Sequence, residues 1–246
     1  MTSSAARPTT KARGALLAYL LEGVRSSESL GLRAELAAWA DARGQFEAFL
    51  AANRDKVRKK LRVARDDDAL LDVRAELHVA ALLCGDRGFA VAFEAYGRGK
   101  RGPDLTVVFR QNLRFNVEVT RLRPSGSAMA LRLQGPLLAK LRQLPAGVPN
   151  ALAVVTGEGA AVPAEDVAST ANHLKQLADR KEEAVFARRG YGSAREFLAY
   201  LARLSGVLVV AEAPTAGTFW INPLAKHPLP RDLVAALVAC ASPRET

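Results

Sequence analysis

Apolar residues recur every three or four positions through the first quarter of the chain. Between residues 11 and 61 the recurring residues are leucine, alanine and phenylalanine, a spacing typical of helices that bury one face. Breaks near residues 26–31 and at Gly44 predict three helices in this segment. Near its end, residues 54–62 form the densest basic run of the chain. A solvated helix face and a nucleic-acid contact are both compatible with that run.

The pattern changes after residue 65. Three aspartates at 66–68 favour the start of a helix that extends to Cys84, because acidic side chains stabilise a helix N-terminus. Alternating apolar residues then predict strands at 89–96, 104–110, 115–123, 151–156, 207–211 and 218–221. The helical pattern returns at 128–144, 164–189, 194–204 and 231–241.

This order of elements predicts an α/β fold, with a central mixed β-sheet flanked by helices. The chain is expected to have three consecutive parts, a disordered tail (1–10), an N-terminal helical extension (11–65) and the α/β core (66–246). The N-terminal helices are a candidate surface for a homodimer.

The composition excludes several classes of protein. With 49% hydrophobic and 24% charged residues, the 246-residue chain is typical of a globular protein and not of a disordered or fibrous one. Cys84 and Cys240 are too few for a disulfide framework or a four-cysteine zinc site. No apolar run reaches the roughly 18–20 residues of a membrane span, and no signal-peptide cleavage site follows the apolar run at 15–21. We therefore expect a cytoplasmic protein that does not interact with membranes.

The formal charge of +10 favours a polyanionic partner. Nucleic acid, with DNA preferred, is the partner expected from that charge. A compositional preference for arginine is the alternative explanation.

Three carboxylates stand out in the predicted core. Glu76 falls on an apolar side of its helix, where a carboxylate is costly unless a metal, a buried arginine or a backbone amide pairs with it. Asp104 begins a strand whose alternate residues from Leu105 onward are apolar, so Asp104 points away from that apolar face. Glu118 alternates with Val117 and Val119, so it lies on the polar face of its strand. If these strands are antiparallel neighbours, Asp104 and Glu118 point to the same side of the sheet.

Such a convergence would bind a hard divalent cation through oxygen, with Mg²⁺ (or Mn²⁺) expected. A cation there can activate water and stabilise charge during phosphodiester hydrolysis.

At these residues the sequence resembles the PD-(D/E)XK nuclease superfamily, which has the restriction-endonuclease-like fold. The matching residues are Glu76-Leu77, Pro103-Asp104 and Glu118-Val119-Thr120, and the resemblance covers about residues 66–156. It implies a restriction-endonuclease-like core and a metal-dependent nuclease, with Glu76, Asp104 and Glu118 as catalytic metal ligands.

The chain departs from the family at one position. The third motif of the family ends in a lysine that positions or activates the attacking water, whereas this sequence has Thr120 there. Lys140 on the following helix is our first candidate for the missing charge, with Lys100 and Arg132 as others. The rival interpretation is that catalysis is lost and the fold acts as a nucleic-acid-binding or assembly module. A helical protein-interaction module is a third interpretation.

Basic residues flank the predicted site. Arg98, Lys100 and Arg101 lie on a glycine-rich loop directly before Asp104, where a phosphate backbone would have to pass. Arg188 and Arg189 are further candidates for the same contact.

Overall fold

The structure is a computed structural model that describes residues 10–24, 28–95, 102–123, 129–157, 162–211 and 217–242. Over these ranges the chain forms ten α-helices and a six-stranded sheet. The helices are α1 (Thr10–Leu21), α2 (Ser29–Ala42), α3 (Gly44–Ala52), α4 (Arg54–Val63), α5 (Asp67–Leu83), α6 (Met129–Lys140), α7 (Ala164–Asp179), α8 (Glu183–Ala187), α9 (Ala194–Leu201) and α10 (Arg231–Ala241). The strands are β1 (Phe89–Phe93), β2 (Leu105–Phe109), β3 (Leu113–Leu122), β4 (Asn150–Thr156), β5 (Gly206–Ala211) and β6 (Thr218–Ile221). A short 3-10 helix, Leu141–Gln143, follows α6.

The spatial order of the strands follows the chain order. Strands β1, β2 and β3 are antiparallel neighbours, β3, β4 and β5 are parallel, and β6 returns antiparallel to β5. The sheet is therefore mixed, as the order of elements predicted. No helix in the described ranges is long and apolar enough to cross a membrane.

Two hydrophobic clusters cover the two faces of the sheet. Leu105, Val107 and Val117 pack in one cluster with residues of α1–α5 and α10. Leu152 and Val207 face the opposite cluster, which is built with α6, α7, α8 and α9. The prediction of a sheet flanked by helices is confirmed, and the central strands β4 and β5 are almost continuously apolar because helices cover both of their faces.

The N-terminal segment forms four helices and not the three predicted. Helix α3 ends at Ala52 and α4 begins at Arg54, with Asn53 between them donating its side-chain amide to the Phe49 carbonyl at 2.8 Å. The apolar spacing continues across this junction, so periodicity alone did not reveal it. Residues of α1–α4 share one cluster with α5 and the sheet. The division at residue 65 and the homodimer surface stay predictions.

Helices α5 and α6 position the site. Asp66 caps α5 by accepting a hydrogen bond from the Ala69 amide at 2.7 Å, as expected for an acidic helix start. Helix α6 continues past Gly135 and Pro136 to Lys140 without restarting. Its last residue therefore extends over the sheet beside β3.

Candidate active site

The candidate site lies where β3 extends beyond the start of β2. Strand β2 begins at Leu105, opposite Val117, whereas β3 continues to Leu122 along β4. Asp104 directly precedes β2, and the same register places it opposite Glu118. Side chains opposite each other on antiparallel strands project from the same face of the sheet. The predicted convergence of Asp104 and Glu118 therefore has the required strand geometry.

Asp104 also closes the open edge of β3. Its Oδ2 atom accepts a hydrogen bond from the backbone N–H of Val119 at 2.9 Å. A side chain thus takes the place of a strand partner at this point, which fixes the orientation of the Asp104 carboxylate.

A row of polar residues continues along the same face. The Thr106 hydroxyl donates to Asn116 Oδ1 at 3.2 Å, and the Asn116 amide donates to Asn150 Oδ1 at 3.0 Å. All three residues are buried. The polar face of β2 and β3 is therefore an internal hydrogen-bonded layer beneath the site, and not a solvated surface.

Glu76 has a cationic partner that the sequence analysis did not name. The residue is 8% exposed, and its Oε2 atom lies 2.5 Å from the Lys60 ammonium of α4. The same ammonium lies 3.2 Å from Asp104 Oδ1 and 3.2 Å from Glu94 Oε1. A lysine thus supplies an ion-pair partner for the buried carboxylate, where a metal, an arginine or a backbone amide was expected.

Glu118 is paired with the lysine that the sequence analysis favoured. The Lys140 ammonium lies 2.7 Å from Glu118 Oε1. Glu118 is 1% exposed, and its Oε2 atom receives no hydrogen bond from any part of the chain that the structure describes. Thr120, two residues later on β3, is half-buried and carries no charge.

Burial and the neighbouring Asp104 charge raise the pKa values of Glu118 and Glu76. Burial first, and the Asp104 charge second, raise the pKa of Glu118 to about 7, against the opposing effect of Lys140. Burial and Asp104 also raise the pKa of Glu76 well above its usual range, and Lys60 opposes this rise. Burial tends to lower the pKa of Lys60 and of Lys140, but the nearby carboxylates outweigh it and raise both. Both lysines are therefore cationic at neutral pH.

The raised pKa of Glu118 predicts a pH dependence of stability. In the folded chain the Glu118 carboxyl keeps its proton up to about pH 7, whereas the ordinary pKa of a glutamate is 4.5. Since the folded state binds the proton more tightly, the free energy of unfolding falls as the pH rises between these values. His78 acts in the opposite direction, because burial lowers its pKa to about 4. Because glutamine does not titrate, we expect the free energy of unfolding of Glu118→Gln to fall less than that of wild type as the pH rises from about 5 to about 8.

Urea unfolding at a series of pH values measures this difference, and comparison with wild type cancels the contribution of His78. Glu165 on α7 is exposed, so Glu165→Gln is the matched control and should follow the wild-type curve. If the free energy of unfolding of Glu118→Gln falls with pH as steeply as that of wild type, the prediction is contradicted.

A cleft lies beside the carboxylates. Its volume is about 590 Å³, and it is lined by Asp72, Glu76, Val119, Thr120, Arg121, Leu122, Arg123, Arg132, Gly135, Pro136, Ala139, Lys140 and Arg189. Five of these side chains are cationic and two are carboxylates. The cleft therefore favours an anionic ligand next to the acidic cluster.

The cations of the cleft differ in how they are held. Arg121 is 10% exposed and pairs with Asp68 and Asp72 of α5, on the opposite face of β3 from Glu118. Arg123 is 62% exposed and contacts Asp68 Oδ2 at 2.7 Å. Arg132 donates to the Arg123 carbonyl at 3.0 Å. Arg121 is thus structural, whereas Arg123 extends into solvent.

The structure places the other predicted residues as follows. Arg98, Lys100 and Arg101 lie outside the described residues. Arg189 lines the cleft. The sequence did not lead us to predict Lys60 as a site residue, although the helix pattern contained a signal. Lys60 lies three residues after Val57 and one before Leu61, and both of these residues are fully buried. A lysine at that position borders the buried face of α4.

The donor atoms fit a hard divalent cation. Three carboxylates supply the oxygen ligands that Mg²⁺ prefers, and the buried Glu118 Oε2 lacks a hydrogen-bond donor, which a cation would satisfy. Over the described ranges, however, no group of three or more histidine, cysteine, aspartate or glutamate residues is arranged to hold a metal ion. The Lys60 ammonium contacts both Glu76 and Asp104.

No protein-family model, curated protein or solved structure matches this chain. The fold defines an α/β protein with an open mixed sheet.

Proposed function

We propose that this chain is a metal-dependent nuclease with a restriction-endonuclease-like core. The observation that carries the proposal is the meeting of Asp104, Glu118, Glu76 and Lys140 at the open edge of β3, beside a cation-lined cleft. A buried acidic cluster is costly to fold, and its cost is explained if the carboxylates serve chemistry at the cleft.

Each residue has a distinct part in the proposed reaction. Glu76, Asp104 and Glu118 would hold Mg²⁺ or Mn²⁺, which supplies Lewis-acid stabilisation of charge on phosphorus and a more acidic water. The Lys140 ammonium, 2.7 Å from Glu118, orients this carboxylate and supplies the positive charge that Thr120 lacks. The Thr120 side chain lines the cleft, where its hydroxyl can donate a hydrogen bond to substrate.

The cleft suits the phosphate backbone of a nucleic acid. Arg123, Arg132 and Arg189 line it, and guanidinium groups bind phosphate oxygens in a bidentate manner. Such contacts hold a strand without reading its sequence. We propose DNA as the partner, and duplex DNA in preference to single-stranded DNA, because the duplex carries the higher charge density of the two.

The direct test uses the purified chain with single- and double-stranded DNA and RNA, in Mg²⁺, in Mn²⁺ and in EDTA. We expect cleavage with a divalent cation and none in EDTA. Binding without cleavage in any metal would refute the nuclease proposal. The decisive variant at Asp104 is described in the Discussion.

An arginine of the cleft provides a test of substrate binding. Replacing Arg132 by alanine is expected to weaken binding of every nucleic-acid sequence to a similar extent and to lower the slope of log K against log salt by about one. Fluorescence anisotropy at several salt concentrations measures both quantities. Arg231 is exposed at the start of α10, outside the cleft lining, so Arg231→Ala is the charge-matched control. An equal loss in both variants would show that net charge, and not the cleft, binds the nucleic acid.

A second candidate function is a catalytically inactive nuclease fold that binds nucleic acid. Thr120 favours this alternative, because the hydroxyl cannot replace an ammonium at the third motif. The alternative predicts salt-sensitive binding in the same anisotropy assay, with intact substrate after incubation with either metal.

A further inference from the structure

Lys60 comes from outside the part of the chain that resembles nucleases. It lies on α4, in the basic run at 54–62, yet its ammonium contacts Glu76, Asp104 and Glu94. Its side chain is 25% exposed. One ammonium thus serves three carboxylates, two of which are proposed metal ligands.

The docking of α4 holds Lys60 in this position. One helical turn earlier, Lys56 donates to the backbone carbonyls of Phe93 at 2.8 Å and Glu94 at 3.2 Å, at the end of β1. Val57 and Leu61 are fully buried beside it. The backbone of Lys60 is therefore anchored, and only its flexible side chain is free to take another position.

Three oxygens of Glu76 and Asp104 that a metal could use are already engaged. Asp104 Oδ1 contacts Lys60, Asp104 Oδ2 accepts the Val119 amide, and Glu76 Oε2 lies 2.5 Å from the same ammonium. Magnesium requires oxygens at about 2.0–2.1 Å. A cation that used these same oxygens would compete with the ammonium for them, and the two positive charges would repel each other.

We propose that Lys60 is a built-in competitor of the metal ion. It neutralises the buried carboxylates of the unloaded protein, and metal binding displaces its ammonium. Glu94 offers the displaced ammonium a partner closer to solvent, since its side chain is 46% exposed. This inference rests on the proposed function, because it concerns the same metal ligands.

Manganese binding to Lys60→Met, measured by isothermal titration calorimetry, tests the competition. Removal of the ammonium is expected to tighten Mn²⁺ binding about tenfold relative to wild type, a coupling in the usual range. Lys59 is the exposed neighbour on the same helix, so Lys59→Met removes an equal charge without opening the site. We expect the affinity of Lys59→Met to stay within about twofold of wild type.

The outcomes separate this inference from the proposed function. Equal or weaker binding by Lys60→Met than by wild type would overturn the competition and leave metal use intact. Binding of Mn²⁺ by neither protein would overturn metal use itself, and the competition with it.

The wild-type chain provides a second measurement, which remains available if Lys60→Met does not fold. Acetylation of Lys60 by acetic anhydride, located by mass spectrometry and compared with that of Lys59, is expected to increase when Mg²⁺ is added, because the displaced ammonium becomes accessible. A ratio of Lys60 to Lys59 labelling that Mg²⁺ leaves unchanged or lowers would overturn the inference.

Discussion

Replacing Asp104 by asparagine is expected to slow metal-dependent cleavage of nucleic acid at least about a thousandfold, or about 4 kcal/mol of transition-state stabilisation. Asparagine keeps the size of the side chain and an oxygen that can accept the Val119 amide. The substitution therefore removes the negative charge and also replaces the oxygen that contacts the Lys60 ammonium at 3.2 Å by an NH2 group. Single-turnover cleavage at saturating enzyme measures the effect on chemistry separately from substrate binding.

The control for this variant is a carboxylate remote from the cleft. Asp232 on α10 forms a surface ion pair with Arg110 at 2.9 Å, and both side chains are more than half exposed. Asp232→Asn should therefore cleave at the wild-type rate. Cleavage by Asp104→Asn within about tenfold of wild type would remove Asp104 from the catalytic machinery.

Replacing Gly206 by alanine is expected to lower the free energy of unfolding by about 3 kcal/mol, a large value for the addition of one methyl group. Gly206 begins β5 and is paired with Ile221 of β6. A Cβ atom there would come within 2.4 Å of the Trp220 carbonyl oxygen, which belongs to the backbone. The overlap is relieved only by separating β5 from β6. Urea unfolding followed by circular dichroism measures the loss.

Gly14 offers a matched glycine-to-alanine control. It lies within α1, and apart from its chain neighbours and the backbone of its own helix, no atom of the described residues lies within 4 Å of the position that a Cβ would occupy. Because alanine favours a helix over glycine, Gly14→Ala should be neutral or stabilising by up to about 1 kcal/mol. A similar loss of stability in both variants would show that the close approach at Gly206 is not the cause.

Much of the α/β core could be predicted because its signals are local. The alternation of apolar residues in β2 and β3 is visible within stretches of five and ten residues. The acidic residues that mark the start of α5 are adjacent in the sequence. The same alternation placed Asp104 and Glu118 on polar faces before any pairing was known. Burial of Glu76 followed from its position among apolar residues on one helix.

The register that brings Asp104 opposite Glu118 depends on the turn between β2 and β3. Arg110 and Gln111 both have left-handed backbones, with φ of 47° and 67°. Neither residue is a glycine, so the turn chemistry that sequence reasoning relies on is missing there. Antiparallel pairing of the two strands was expected, but its alignment was not readable from the chain.

The sequence by itself determined the α/β class, the mixed sheet and the three buried or strand-facing carboxylates, because each follows from periodicity along one element. Only the tertiary structure showed that Lys60 neutralises Glu76 and Asp104. Lys60 and Asp104 are 44 residues apart, and their contact forms when α4 docks on the end of β1. A lysine on a helix has the same sequence pattern whether its ammonium meets water or a carboxylate. The difference is decided by packing between distant elements, which periodicity does not encode.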